Sequence, residues 1–281
     1  MRRLAVSLAL ILLSILVIAQ DDRQLDLLDS VRELRLEGRL TEAMTAAETG
    51  LQSADATTAL QLHFELAKIH DRIGLHTDTR PVAAALEHIE IADALAQQLD
   101  DRALAQVELA YAEYFYRAEM AERVFATATR HAEAALRACR ELQEIHCQAD
   151  AVHRLGLIHL QRRELDEALE LFEESLRIDR LAGERPLLRA DYERHAGFVF
   201  WLRDEPETAL PYFERSLEHR IAARATDPAM FAAISLASTL ESLGRDAEAQ
   251  PHIDFALEVA ETIGSPTGKA RVKVILDRMA E

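Results

Sequence analysis

Four residues between positions 139 and 153 carry side chains that ligate metals or form covalent bridges: Cys139, His146, Cys147 and His153. Zinc needs three or four such ligands converging at short range. Cys139 sits on a different predicted helix from His153, which argues against convergence. Two cysteines are too few for a disulfide scaffold, yet Cys139 ends one predicted helix and Cys147 opens the next. In an oxidising compartment they bridge if the turn brings their Cα atoms within ~7 Å; otherwise they are two small buried hydrophobes. The rest of the chain is poor in chemistry. It has no Gly-rich phosphate loop, no Gly-x-Ser-x-Gly elbow and no His-Glu-x-x-His. Carboxylate pairs such as Glu173 and Glu174 read as solvated helix faces. The expectation is therefore no catalytic residue, no metal and no cofactor.

The elements that position these residues follow from composition. Of 281 residues, 49% are hydrophobic, only 5% are aromatic and 9 are Gly, a mixture that favours helix packed on helix. The formal charge of -17 repels a phosphate backbone, so nucleic acid is not an expected partner. Arg2 and Arg3 precede an apolar run from Leu4 to Ile18, closed by Val17-Ile18-Ala19. That pattern predicts a secretory leader over residues 1–19 and export, most plausibly to a bacterial periplasm. The competing expectation is an uncleaved N-terminal anchor, the only expected contact with a membrane.

The organising feature is a repeat. Leu155-Gly156, Ala168-Leu169, Phe172-Glu173 and Ser175-Leu176 return 41 residues later as Ala196-Gly197, Ala209-Leu210, Phe213-Glu214 and Ser216-Leu217. In each copy a helix-period apolar stripe leads to the small pair, a polar break follows, and a second stripe carries Ala, Phe and Ser. Each copy is one helical hairpin. Small residues stand where two backbones approach, and the Phe fills the space beside them. With the small residue of each second helix as a ruler, Ala43, Ala85, Ala128, Ala168, Ala209 and Ala249 mark six units.

This pattern resembles the tetratricopeptide repeat, in a long form of about 40–42 residues similar to the kinesin-light-chain type. Pro211 and Pro251, each two residues after the small Ala, belong to that likeness and should bend their helices. The resemblance implies an all-α, right-handed superhelical solenoid. Its units span about 24–57, 58–100, 101–143, 146–183, 186–225 and 228–264, and residues 265–281 form a capping helix. Within it, Thr58 to Arg72 is expected as a helix, with a loop from Ile73 to Arg80 and Pro81 opening the next helix. In the third unit Arg102 to Met120 pairs with Glu122 to Leu142. Ser265 and Pro266 read as the N-cap and first residue of the cap helix.

The resemblance also implies a concave groove lined by the first helix of each unit. Its ligand-facing positions fall on Lys68, Arg72, Tyr116, Arg117, His153, Arg194, Phe198 and Trp201, with Glu113, Gln161 and Asp191 beside them. One reading places an apolar ligand side chain on Phe198 and Trp201, and ligand carboxylates on Arg194, Arg117 and Arg72. The other buries Trp201 as core and makes the arginines internal counter-ions.

The expected function is an exported, non-catalytic adaptor that holds a peptide or protein segment. An extracytoplasmic sensory input module acting through a separate cyclase- or kinase-type output module is the alternative. An assembly factor for envelope machinery, bound to one protein, is a third reading.

Overall fold

The computed structural model of the chain describes residues 22–80 and 82–280. The predicted leader and Pro81 lie outside the described residues. Among those described there is no strand, and no helix is long and apolar enough to cross a membrane. The helices form consecutive antiparallel pairs: α1 (residues 22–37) with α2 (Leu40–Leu51), α3 (Ala56–Thr77) with α4 (Ala83–Ala96), and α5 (Asp101–Ala118) with α6 (Ala126–Glu141). Next come α7 (Ile145–Gln161) with α8 (Leu165–Asp179), α9 (Pro186–Leu202) with α10 (Pro206–Ala222), and α11 (Thr226–Ser242) with α12 (Asp246–Thr262). Last, α13 (Pro266–Met279) packs on α11 and α12. The fold is all-α, a right-handed solenoid of hairpins with a terminal cap.

The small-residue ruler explains the stacking. Ala43, Ala85, Ala128, Ala168, Ala209 and Ala249 are all buried, because a larger side chain there would push the two helices of a hairpin apart. Gly156 and Gly197 serve the same end. A Cβ on Gly156 would lie 2.6 Å from the Phe172 ring, and one on Gly197 2.8 Å from Phe213. Ser175 and Ser216 complete the motif by donating to the carbonyls of Ala149 and Ala190, each at 2.8 Å. A hydroxyl buried with that acceptor satisfies its own polarity and ties the second helix of a unit to the first.

The turns repeat as closely as the helices. Arg163, Asp204 and Gly244 end the first helices of the last three hairpins with φ of 64°, 64° and 68°. The residue after each donates back to the carbonyl five positions earlier, as Glu164 does to His159 and Arg245 to Leu240. This is the Schellman termination, which favours glycine in the left-handed position. Two of the three turns carry a side chain there instead.

Three expectations need correction. The helix of unit two does not stop at Arg72. It continues as α3 to Thr77 and ends on Asp78 in the left-handed conformation. Gly74, which looks like a breaker in sequence, admits close approach: a Cβ there would meet Val82 at 2.4 Å and Arg80 at 2.7 Å. In unit three, α6 begins at Ala126, four residues later than expected. Its start is set by the Glu119 carboxylate, which accepts from the amides of Thr127 and Ala128. The helices also continue through Pro211 and Pro251, near their N-terminal ends where a missing donor disturbs few intrahelical bonds.

The array closes on itself. The C-terminal end of α3 reaches the start of α11 and the cap, with Leu75 packed on the C-terminal core. Gly38, in the α1–α2 turn, lies so close to Ile263 that a Cβ would approach within 2.6 Å. Six units thus complete a turn, and the concave face becomes an interior.

Candidate functional site

The first helices of the units carry a chain of charged side chains into this interior. On α3, Glu65 accepts from Arg35 at 2.8 Å and from Lys68 at 3.0 Å. Burial alone would raise the Glu65 pKa, but Lys68 and Arg35 hold it at about 2. On α5, Arg117 pairs with Asp71 at 2.9 Å and with Glu113 at 3.0 Å. Glu113 also meets Arg154 of α7 at 3.2 Å. Against the cost of burial, Arg154 and Arg117 keep that carboxyl well below the usual range.

The α3 end is the most heavily bonded part of the interior. Arg72 donates from two nitrogens to Asp227 of α11, with Nε at 3.0 Å. His76 joins the same carboxylate through Nε2 at 3.2 Å, and its Nδ1 is 2.8 Å from the Ser265 hydroxyl. Thr267 donates to the His76 carbonyl at 3.0 Å. Burial opposes ionisation of Asp227, but Arg72 and the His76 hydrogen bond hold its pKa at about 2.

Ser265, His76 and Asp227 have the order of a hydrolytic triad. Their setting does not fit one. All three are buried, the Ser265 oxygen already accepts the Gly268 amide at 3.0 Å to cap α13, and Asp227 is committed to Arg72. The trio fastens the cap to the second unit.

A neutral histidine pair lies deeper. His153 Nε2 and His195 Nδ1 are 3.0 Å apart, above the Phe172 ring. Burial lowers the His153 pKa to about 4 and that of His195 well below its ordinary value. His146 is occupied by Asp179 at 3.0 Å, and Cys139 and Cys147 are joined by a disulfide with Cα atoms 5.7 Å apart. The cysteine and histidine side chains between 139 and 153 therefore face different partners.

The expected groove residues separate into classes. Arg72, Arg117 and Lys68 are engaged by the protein's own carboxylates. Tyr116 is 5% exposed, and its ring stacks on Phe125 with centroids 5.7 Å apart. It belongs to the core between α5 and α6, not to the surface of a groove. Phe198 packs edge-on against Phe213 at 5.1 Å and is half core. Trp201, on the same α9 face seven residues after Arg194, is 42% exposed and is not core.

Arg194 stands apart from the other cations. Its guanidinium sits 5.1 Å above Phe198, its Nε is shielded from solvent without an acceptor, and it makes no ion pair among the described residues. Burial first, and then the neighbouring charge of Arg220, lower its pKa to about 9. Arg220, Arg271, His76 and His195 are interior residues that helix-face spacing did not single out. Arg271 and Ser265 arrive from the cap, outside the repeat register, so no spacing rule pointed to them.

The fold and this interior define a helical-repeat binding protein. The family model described as tetratricopeptide repeat matches residues 147–222. The chain is a tetratricopeptide-repeat protein. Solved structures of similar fold include a Rap protein complexed with Competence and Sporulation Factor, at 13% identity and a TM-score of 0.65, covering 85% of this chain and 67% of that one. Similar too is the Rap conjugation gene regulator of plasmid pLS20 with a Phr peptide, at 13% identity and 0.64, covering 89% and 78%. NprR in complex with its cognate peptide NprX matches at 14% identity and 0.58, covering 89% and 69%. No curated protein matches the chain.

Proposed function

We propose that this protein is a non-catalytic scaffold that holds a peptide or an extended protein segment inside its closed array. The observation that carries the reading is the closure itself. Side chains from α3, α5, α7, α9, α11 and the cap face one interior instead of an open convex surface, and they include the half-exposed Trp201. Two of the similar folds were solved with peptides, which supports a peptide as the ligand class. The buried Ser265, His76 and Asp227 trio is fully used in fastening the array, which supports binding without turnover.

Export is part of the proposal. It is supported by the leader pattern of residues 1–19 and by the disulfide between Cys139 and Cys147, since such bonds persist in oxidising compartments. The test is cross-linking of the full mature chain to envelope extract, with the cross-linked sites mapped by mass spectrometry. Links from α5, α7 and α9 positions facing the interior are the expected result. Links confined to the outward faces of α2, α4 and α6 would overturn the interior as the binding site.

A further inference from the structure

Where α9, α10, α11 and α13 meet α3, four arginines share one region around two phenyl rings. Arg72 and Arg271 place their guanidinium carbons 5.5 and 5.3 Å from the centroid of Phe231. Arg194 lies 5.1 Å over Phe198, and Phe198 packs against the same core as Phe231. Two of the four are neutralised internally. Arg72 is held by Asp227, and Arg220 binds Asp191 and donates to the Pro228 carbonyl at 2.8 Å. The other two are not: neither Arg194 nor Arg271 makes an ion pair or hydrogen bond among the described residues, and the one carboxylate acting on Arg271 is the distant Asp78.

Such an arrangement is unfavourable in the empty protein. A partly desolvated cation without a counter-ion costs free energy, and Arg220 and Arg271 add repulsion at Arg194. Stacking on a phenyl face offsets only part of that cost. In a chain of formal charge -17, carboxylates to neutralise these groups are abundant, yet none is placed there.

We propose that Arg194 and Arg271 form a site for a carboxylate of the bound peptide, so that the ligand is an acidic segment whose Asp or Glu side chain lies between α9 and the cap. The phenyl rings of Phe198 and Phe231 hold the two guanidinium planes, and the ligand carboxylate supplies the missing charge through paired N–H···O bonds. This rests on the peptide-binding reading and specifies its ligand. It also gives the cap helix a part in recognition, since Arg271 lies outside the repeats.

The experiment titrates the full chain with two N-acetylated, C-amidated hexapeptide pools of mixed apolar composition, one containing glutamate and the other glutamine at the same positions. Wild type is compared with the Arg194→Gln, Arg271→Gln double variant, and inorganic phosphate is a third probe. The expected result is binding of the glutamate pool at least about tenfold tighter than the glutamine pool, the size of one charge-assisted hydrogen bond, with the preference lost in the double variant. The variant should melt no lower than wild type, because no internal ion pair has been removed. A lowered melting point would mark the arginines as structural and overturn the site. Equal binding of both pools would overturn the carboxylate site and leave peptide binding standing. If neither pool binds but phosphate raises the melting point of wild type alone, the ligand is a free anion and the peptide reading falls. Silence of all three probes overturns both.

Discussion

Arg72 and Asp227, 155 positions apart in sequence, meet in a two-pronged ion pair that closes the superhelix. Asp227 is fully buried and His76 bonds the same carboxylate, so three side chains from two ends of the array depend on one charge. Removing one partner of a buried pair leaves the other uncompensated, at a cost of about 3–5 kcal/mol. Asp227→Ala should therefore destabilise strongly and loosen the seam. Faster amide hydrogen exchange in α13 and the end of α3, with α7 and α8 unchanged, is the expected readout.

The same carboxylate sets a pH dependence. Its folded pKa of about 2 lies below the ordinary Asp value, so its contribution is fully present above pH ~4 and is lost as pH falls toward 2. The histidines act earlier. Burial lowers the pKa of His88 and of His153 to about 4, and the unfolded chain takes up their protons first. Stability should fall as pH drops from about 6.5 to 4. Urea unfolding across that window should show a flatter decline for a His153→Gln, His195→Gln variant; an unchanged slope would mean that the pair is not held neutral.

Glycine and left-handed positions give opposite signs. Gly156→Ala would ordinarily gain helix propensity, but the new Cβ meets Phe172 at 2.6 Å, and overpacking of that kind costs about 1–3 kcal/mol. Arg163 is left-handed in an exposed turn, so Arg163→Gly should stabilise by about 1 kcal/mol. Chemical denaturation of the two variants should move the midpoint in opposite directions.

Those two positions also show how much was legible. The repeat, its period and its small-residue seam could be read from Ala168, Phe172 and Ser175 and their copies, because packing two helices closely leaves few residue choices. Which Gly ends a helix was less legible. Gly74 and Gly244 look alike in sequence, yet one lies within α3 and the other in a turn, and the difference is made by Val82 and Arg80 across the hairpin. The interior was least legible. Helix-face spacing placed Arg72, Arg117 and Arg194 as equals, but Asp227 and Asp71, supplied by other helices, neutralise two of them and leave the third.

Closing a short loop with a disulfide removes unfolded-state entropy worth about 2.5 kcal/mol. Reduction of the bond between Cys139 and Cys147 should therefore lower the melting point without unfolding the array, and alkylation of unreduced protein should find no free thiol. Two alkylatable thiols would contradict the bridge.

Trp201 is the single tryptophan of the chain, is 42% exposed, and lies on the α9 face that carries Arg194. It therefore reports directly on the interior. A fluorescence titration of the full chain with the glutamate-containing pool should give a saturable blue shift as the bound segment displaces water from the indole, and Arg194→Gln should weaken that response. Binding detected by calorimetry with no change in the Trp201 spectrum would place the ligand elsewhere and contradict the interior as the binding site.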